Sequence, residues 1–290
     1  MFLLLGSTGY VGGAFVRELQ KRHLPYQTLS LKNPDHDPGR LLTETLHQLH
    51  PSFVINAAGW PGAPNVDATE NHKELCVAAN LALPALLAEV CAHEQIPLGH
   101  VSTGCIYNGP RPGGGGYTEA EAPNFDFRHN NSGFYSGCKA LAEEVIINNW
   151  PDSYLWRLRY PFESRNHPKN YLAKLMRYEK LVEAKNSISH LDEFAGACLD
   201  CFLQQLPRGI YNITNPGVIS TGEIVSLIRK HQRAPGKEFR FFASDAEFQK
   251  IILTPRAHCE LDSGKLLSHG IPLTEVHEAV DRCLREWKEL

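Results

Sequence analysis

At 290 residues, with 42% hydrophobic and 21% charged side chains, the chain has the size and composition of one large globular domain or two fused modules, which excludes a disordered polymer. A net charge of −3 gives no broad basic field, so no nucleic-acid partner is expected. The apolar start Phe2–Leu5 meets Gly6 at once, without the charged lead of a signal peptide, and no apolar run reads as long enough to span a membrane. The expectation is a cytoplasmic enzyme with no membrane partner and eight cysteines kept as thiols.

In chain order, residues 2–5 read as a strand, 13–23 as an amphipathic helix, 26–31 as a strand, 39–49 as a helix and 53–57 as a strand. Residues 70–94 form a long helical stretch that Pro84 should bend or split. Another strand ends near Ser102, and a glycine-rich loop runs through Gly113–Gly116. A helix follows at 134–149 and a strand at 155–160. This alternation predicts an α/β, Rossmann-like, doubly wound parallel sheet with helices on both faces.

Beyond Tyr160 the pattern loosens, with helices at 170–182, 191–205, 221–231 and 274–288 and a strand at 209–214. The tail reads as too short and interrupted for a core of its own, and is expected to cover the carboxyl edge of the sheet. The division is therefore 1–160 for the dinucleotide and 161–290 for a smaller substrate-binding region, with about 188–215 packing back onto the first part. Cys198 and Cys201 form a lone C-x-x-C inside a helical pattern. Without further ligands at suitable spacing it reads as helix packing, and no metal is expected.

The chemistry-bearing motifs begin at Gly6-Ser7-Thr8-Gly9-Tyr10-Val11-Gly12, between the first strand and first helix. Glycines there permit a tight turn and close backbone approach to a pyrophosphate, and the helix N-terminus favours its charge. Where an acidic residue at the end of the second strand would favour NAD, this chain has Ser30 and Lys32, which tilts the expectation to NADP, with NADPH preferred over NADH. Ala57-Ala58-Gly59, after the third strand, is also assigned to the cofactor. Asn80, a poor helix former in mid-helix, is assigned there too, either through a water relay to Lys139 or as a cap at the break before Pro84.

Tyr135 and Lys139 stand at i and i+4, on one face of a helix. Hydride transfer to a ketone leaves an alkoxide that needs a proton, and a phenol whose pKa is lowered by a neighbouring ammonium supplies one. Lys139 would also hold the cofactor ribose. At the preceding strand end, Thr103 is the first choice to bond the substrate carbonyl and Ser102 the alternative.

With these residues in view, the glycine loop, Tyr135 and Lys139 resemble the extended short-chain dehydrogenase/reductases. Six segments sharpen the likeness: 56–73, 102–109, 121–125, 174–180, 209–220 and 254–266. Together they resemble the nucleotide-sugar 3,5-epimerase/4-reductases that make UDP- or dTDP-rhamnose, relatives of dTDP-4-dehydrorhamnose reductase. The resemblance implies a nucleotide-sugar substrate, a nucleotide diphosphate carrying a 4-keto-6-deoxy sugar, which is inverted at the carbons flanking the ketone and then reduced by NADPH.

It carries the catalytic roles onto Thr103, Tyr135 and Lys139, and epimerase roles onto Cys105 and Lys174. Inversion removes a proton on one face and returns one on the other, so two such groups are needed. Arg256 matches a position near the nucleotide diphosphate. A homodimer formed through 70–94 and 134–149 is implied by analogy. Two alternatives stay open, a 4-reductase without epimerase activity and a non-catalytic NADP-binding regulatory subunit. Three departures bear on these roles: Ser7 where a basic residue is common, His190 where the pattern is apolar, and a long FDFRHNNSGF segment before Tyr135.

Overall fold

The computed structural model describes residues 1–32 and 37–289. Its centre is a six-stranded, all-parallel sheet. The strands are β1 (Phe2–Leu5), β2 (Tyr26–Leu29), β3 (Phe53–Asn56), β4 (Leu98–Thr103), β5 (Ser153–Leu158) and β6 (Gly209–Asn212). Their spatial order is β2-β1-β3-β4-β5-β6, so the winding reverses between β1 and β3. In such sheets ligands bind outside the carboxyl ends of the strands at this reversal.

The central strands β1 and β3 are buried on both faces because helices cover both. Phe2 and Leu4 of β1, with Phe53 and Ile55 of β3, pack on α1 (Tyr10–Lys21) and on Leu191–Leu203. Leu3, Leu5 and Val54 point the other way. They meet α2 (Pro38–Leu49), α3 (Lys73–His93) and α4 (Phe134–Asn149). The two-residue alternation of a strand sorts one run of apolar residues into two cores.

Two helices differ from the sequence reading. Helix α1 begins at Tyr10 rather than 13, because Gly12 and Gly13 lie inside it and hide the helical pattern. Pro84 does not break α3. A π-helical turn at Ala78–Ala82 joins Lys73–Val77 to Leu83–His93, and Pro84 sits in the first turn of the latter, where its missing N–H costs nothing. The result corrects the reading that no stretch approaches a membrane span. By length and composition, α3 is long and apolar enough, at 21 residues and a mean hydropathy of 1.9, while it packs against α4.

The tail also builds an apolar cluster of its own. Helices α5 (Tyr171–Arg177), α7 (Thr221–Lys230) and α8 (Val276–Arg285) supply Leu172, Leu175, Ile224, Val225, Ile228, Ala279 and Val280 to it. No single run is long enough to announce that core, because its members come from segments about a hundred residues apart. Helix α6 (Leu191–Leu203) and β6 belong instead to the sheet layer. Cys198 and Cys201 are buried in α6, and burial pushes both thiols up, Cys201 to about 12. His190 caps the same helix, accepting from Glu193 N at 3.3 Å, which accounts for a polar residue there.

The glycines of the first turn give a direct test. A Cβ on Gly12 would stand 1.9 Å from the Gly6 carbonyl oxygen, whereas one on Gly13 meets only Arg17 Nη1 at 3.6 Å. Gly12→Ala is expected to destabilise by about 2 kcal/mol through overpacking, and Gly13→Ala to stabilise by about 0.5–1 kcal/mol through helix propensity. Urea unfolding midpoints check the pair, and equal effects of the two substitutions would contradict the packing described.

Candidate functional site

The β1–α1 turn rests on bare backbone across the sheet reversal. Gly6 has φ +81°, and a Cβ there would lie 2.5 Å from Ala58 N and 2.6 Å from the Ala57 carbonyl carbon. Only glycine satisfies both demands. Gly9 is the N-cap of α1 and brings no capping side chain, and the first turn holds no acidic residue. The N–H groups of Tyr10, Val11 and Gly12 therefore lack helical acceptors, and the partial positive charge there suits an anion. Thr8 is exposed at the tip of the turn and Ser7 is half-buried.

The Tyr10 ring stacks on His167, centroids 4.5 Å apart, and its phenol is pushed up by burial and then by Glu163. Ser30 and Lys32, just past β2, are both exposed. Ala57 donates to Leu5 O at 3.1 Å, and Gly59 faces Asn80. The Asn80 amide grips the backbone of Trp60, accepting from its N–H at 3.0 Å and donating to its carbonyl at 2.8 Å. It also donates to Cys76 O at 3.1 Å, one turn back along α3. Asn80 thus does not cap a break, since α3 runs on through Pro84. It pins the loop after β3.

The end of β4 divides its two hydroxyls. Ser102 donates to Glu143 beneath the sheet edge, and Glu143 also pairs with Arg157, 2.7 Å away and equally buried. Thr103 faces the other way, as strand alternation requires. Its Oγ1 accepts from Cys105 N at 3.1 Å and lies near the Tyr135 phenol. Burial pushes that phenol up, the Cys105 thiol adds to the rise, and the Thr103 hydroxyl opposes it.

The expectation of a phenol acidified by Lys139 therefore does not hold here, for a geometric reason. Lys139 reaches back to β4, where Nζ donates to Val101 O at 2.8 Å and sits 2.9 Å from His100 Nε2. Desolvation pushes Lys139 down to about 8, against the pull of Glu143. His100, buried without exposure, has Nδ1 2.9 Å from Asn56 Nδ2, and burial followed by the Lys139 charge holds it well below the ordinary histidine range.

Cys105 sits on a short 3-10 turn, Gly104–Ile106. Buried Arg159 donates to its sulfur from Nη1 at 3.0 Å, and from Nη2 to Asn186 Oδ1 and to the Ala257 carbonyl. The same guanidinium lies 4.1 Å over the Tyr160 ring, which stacks on Tyr171 of α5. Lys174 is the next residue on that face of α5, and burial lowers its pKa, reinforced by Arg177 and Lys169. Contacts thus run from Cys105 to the helix that carries Lys174.

Arg256 is engaged in the structure. It grips Asp67 with two parallel bonds of 2.7 and 2.8 Å and holds that carboxyl below its usual range. The FDFRHNNSGF segment folds onto the start of α4, where Phe127 occupies the space a Cβ on Gly137 would need.

Sequence reasoning missed Asn56, His100, Glu143, Arg157 and Arg159. A histidine inside the apolar run LGHVST and two arginines alternating in LWRLRY were the available signals, since charged groups in a central strand must find buried partners.

Comparison with known proteins bears on this geometry. The model of the family described as the RmlD substrate binding domain matches residues 1–289. A bifunctional dTDP-4-dehydrorhamnose 3,5-epimerase/dTDP-4-dehydrorhamnose reductase of Arabidopsis thaliana is 34% identical over 284 residues, covering 96% of this chain and 90% of that protein. A trifunctional UDP-glucose 4,6-dehydratase/UDP-4-keto-6-deoxy-D-glucose 3,5-epimerase/UDP-4-keto-L-rhamnose-reductase from the same plant is 34% identical over 276 residues. That match covers 91% of this chain, which spans only 39% of the plant protein's length.

Among solved structures, a UDP-rhamnose synthase from Acanthamoeba polyphaga mimivirus superposes with a TM-score of 0.87 at 24% identity, covering 98% of both chains. A dTDP-4-dehydrorhamnose reductase from Bacillus anthracis, in complex with NADP, gives 0.80 at 15% identity over 99% of this chain and 97% of that one. These structures share the fold. With its whole described length matched and its glycine turn, Thr103, Tyr135 and Lys139 gathered at one sheet edge, the chain belongs to the RmlD substrate binding domain family.

Proposed function

We propose that the chain is an NADPH-dependent enzyme that reduces the 4-keto group of a nucleotide-diphosphate 4-keto-6-deoxy sugar and epimerises carbons 3 and 5 in the same site, giving UDP- or dTDP-rhamnose. The observation that carries this reading is the meeting of Thr103, Tyr135 and Cys105 at the carboxyl end of β4, on the same sheet edge as the glycine turn. The named activities of the plant relatives support it.

The cofactor fits the chain's own backbone, because Gly6 and Gly12 leave no room for side chains and the α1 N-terminus has uncapped N–H groups. The residues that would hold it are Gly6–Gly12, Ala57–Gly59 and Lys139, with Ser30 and Lys32 exposed on the side where a 2′-phosphate would sit. Bound NADPH supplies the hydride.

Thr103 and Tyr135 polarise the ketone oxygen, which acidifies the protons on both flanking carbons. Cys105 and Lys174 exchange those protons on opposite faces of the ring. Tyr135 then donates its phenolic proton to the oxygen at carbon 4, and Lys139 orients the ribose. A phenol held high by burial suits the role of acid, because it keeps its proton until charge develops on the substrate oxygen. Arg256 is the candidate for the diphosphate, which would compete with Asp67 for its guanidinium.

Residues 1–160, with 188–215 packed back through α6 and β6, form the cofactor half in this reading, and the remainder of 161–290 holds the sugar nucleotide. Exposed Leu75 on α3, with Leu141 and Ile147 on α4, would form the face of a homodimer. Free thiols at all eight cysteines fit a cytoplasmic setting.

Turnover of un-epimerised UDP-4-keto-6-deoxyglucose with NADPH in heavy water tests the proposal. Deuterium at carbons 3 and 5 of a reduced product is the expected result, and reduction without deuterium would leave a reductase only. Tyr135→Phe should lower the reduction rate by about 10²–10⁴-fold with NADPH affinity nearly unchanged, as read by single-turnover kinetics and cofactor titration. Cys105→Ala should still reduce a pre-epimerised ketone yet lose deuterium incorporation from the un-epimerised one by about 10²-fold or more. Equal loss on both substrates would count against a separate proton-transfer role.

A further inference from the structure

Behind the site lies a chain of three buried polar side chains that the proposed chemistry does not use in full: Asn56, His100 and Lys139. Their donor and acceptor roles can be assigned from one fixed end. The backbone N–H of Ala58 can only donate, and it reaches Asn56 Oδ1 at 3.0 Å. That bond orients the amide, so its nitrogen faces His100 Nδ1 at 2.9 Å. An amide nitrogen only donates, so Nδ1 accepts. A neutral imidazole has one acceptor nitrogen, and its proton must therefore sit on Nε2. This Nε2–H points at Lys139 Nζ, 2.9 Å away.

A neutral amine completes this arrangement, accepting from Nε2–H through its lone pair while donating to Val101 O at 2.8 Å. An ammonium has no lone pair and would meet Nε2–H donor to donor. Relief would require moving the imidazole proton to Nδ1 and turning the Asn56 amide, which sets its NH2 against the Ala58 N–H. Water does not ease the conflict from outside, because Asn56, His100 and Lys139 are all buried.

We infer that Asn56 and His100 form a tautomer lock that disfavours the ammonium form of Lys139, with His100 acting as a positioning residue for the catalytic lysine. The lock is anchored on the peptide at Ala58, the one against which Gly6 packs, so the charge state of Lys139 is tied to the backbone of the cofactor turn.

Other groups act on Lys139 as well. Glu143, one turn along α4, favours the ammonium, as do Cys105 from the turn after β4 and Cys76 from α3 when ionised. Tyr135 shares its helix face, and His100 is the group from β4. The carboxylate of Glu143 is already engaged by Arg157 and Ser102, and desolvation outweighs its pull on Lys139. The consequence for catalysis rests on the proposed reductase reading, whereas the lock itself does not.

The test therefore uses spectroscopy on the intact chain first. In protein labelled with ¹⁵N-histidine, the His100 signal, assigned by its loss in His100→Gln, should show Nε2 protonated and Nδ1 bare at pH 8–9. A protonated Nδ1 there overturns the inference. Asn56→Asp places a carboxylate that accepts from both Ala58 N–H and His100 Nδ1–H, reversing the tautomer so that Nε2 accepts from the ammonium. The Lys139 titration, followed by its ¹³Cε shift, should then move up by roughly one pH unit or more.

His100→Gln, whose amide is free to turn its oxygen toward Lys139, should move it in the same direction, which guards against a folding defect in the first variant. A purely structural histidine would lower stability and leave the titration in place, and an unmoved midpoint in both variants overturns the lock. Where reduction is measurable, the alkaline limb of its pH profile should shift with the ¹³Cε midpoint. A shifted titration in a chain that reduces no 4-keto sugar nucleotide would sink the function and leave the lock standing.

Discussion

Two ionisable side chains one turn apart on α4, Lys139 and Glu143, are buried against β4 and β5, and the geometry of the site follows from how they are satisfied. Glu143 meets Arg157 and Ser102, and Lys139 meets Val101 O and His100. Removing either pair of partners would leave an unpaired polar group in a dry core, which holds α4 in its register on the sheet. That register puts Tyr135, one turn before Lys139, opposite the Thr103 hydroxyl. Burying these groups costs solvation, and what they give in return is position rather than net stability.

The other fixed relation is between the first turn and the segment after β3. Gly6 has no Cβ, so the turn can touch the Ala57–Ala58 peptide directly, and Asn56 and Asn80 hold that segment from either side. The C-terminal layer is tied to this edge by separate contacts. Tyr10 stacks on His167, Arg17 pairs with Glu163, and Arg256 grips Asp67. Arg159 joins the two layers, spanning Cys105, Asn186 and Ala257 from the end of β5. The groups assigned to proton transfer on the sugar therefore lie where the layers meet, and those assigned to the cofactor lie within the sheet layer.

Much of this was legible in the chain. The strand–helix alternation, the glycine turn, the Tyr135/Lys139 spacing and the strand ending at Thr103 are local patterns with short repeats, and each appears where it was expected. What failed did so for identifiable reasons. Pro84 reads as a breaker, yet a π turn lets α3 run through it, and the neighbours that hold the turn are distant in sequence. The pairing of Arg256 with Asp67 could not be read locally, because the two are 189 positions apart. The core of the C-terminal layer has no periodic run long enough to reveal it.

By itself, then, the sequence determined the sheet, its cofactor turn and the identity of the side chains at the end of β4, because these depend on residue types within a few positions of one another. Only the tertiary structure decided which protonation states those side chains favour. Tyr135 is held high and Lys139 low by burial, and His100 takes its tautomer from an amide oriented by a backbone N–H. Desolvation and hydrogen-bond direction are properties of what surrounds a group in space. In this chain those surroundings come from strands and helices tens of residues apart.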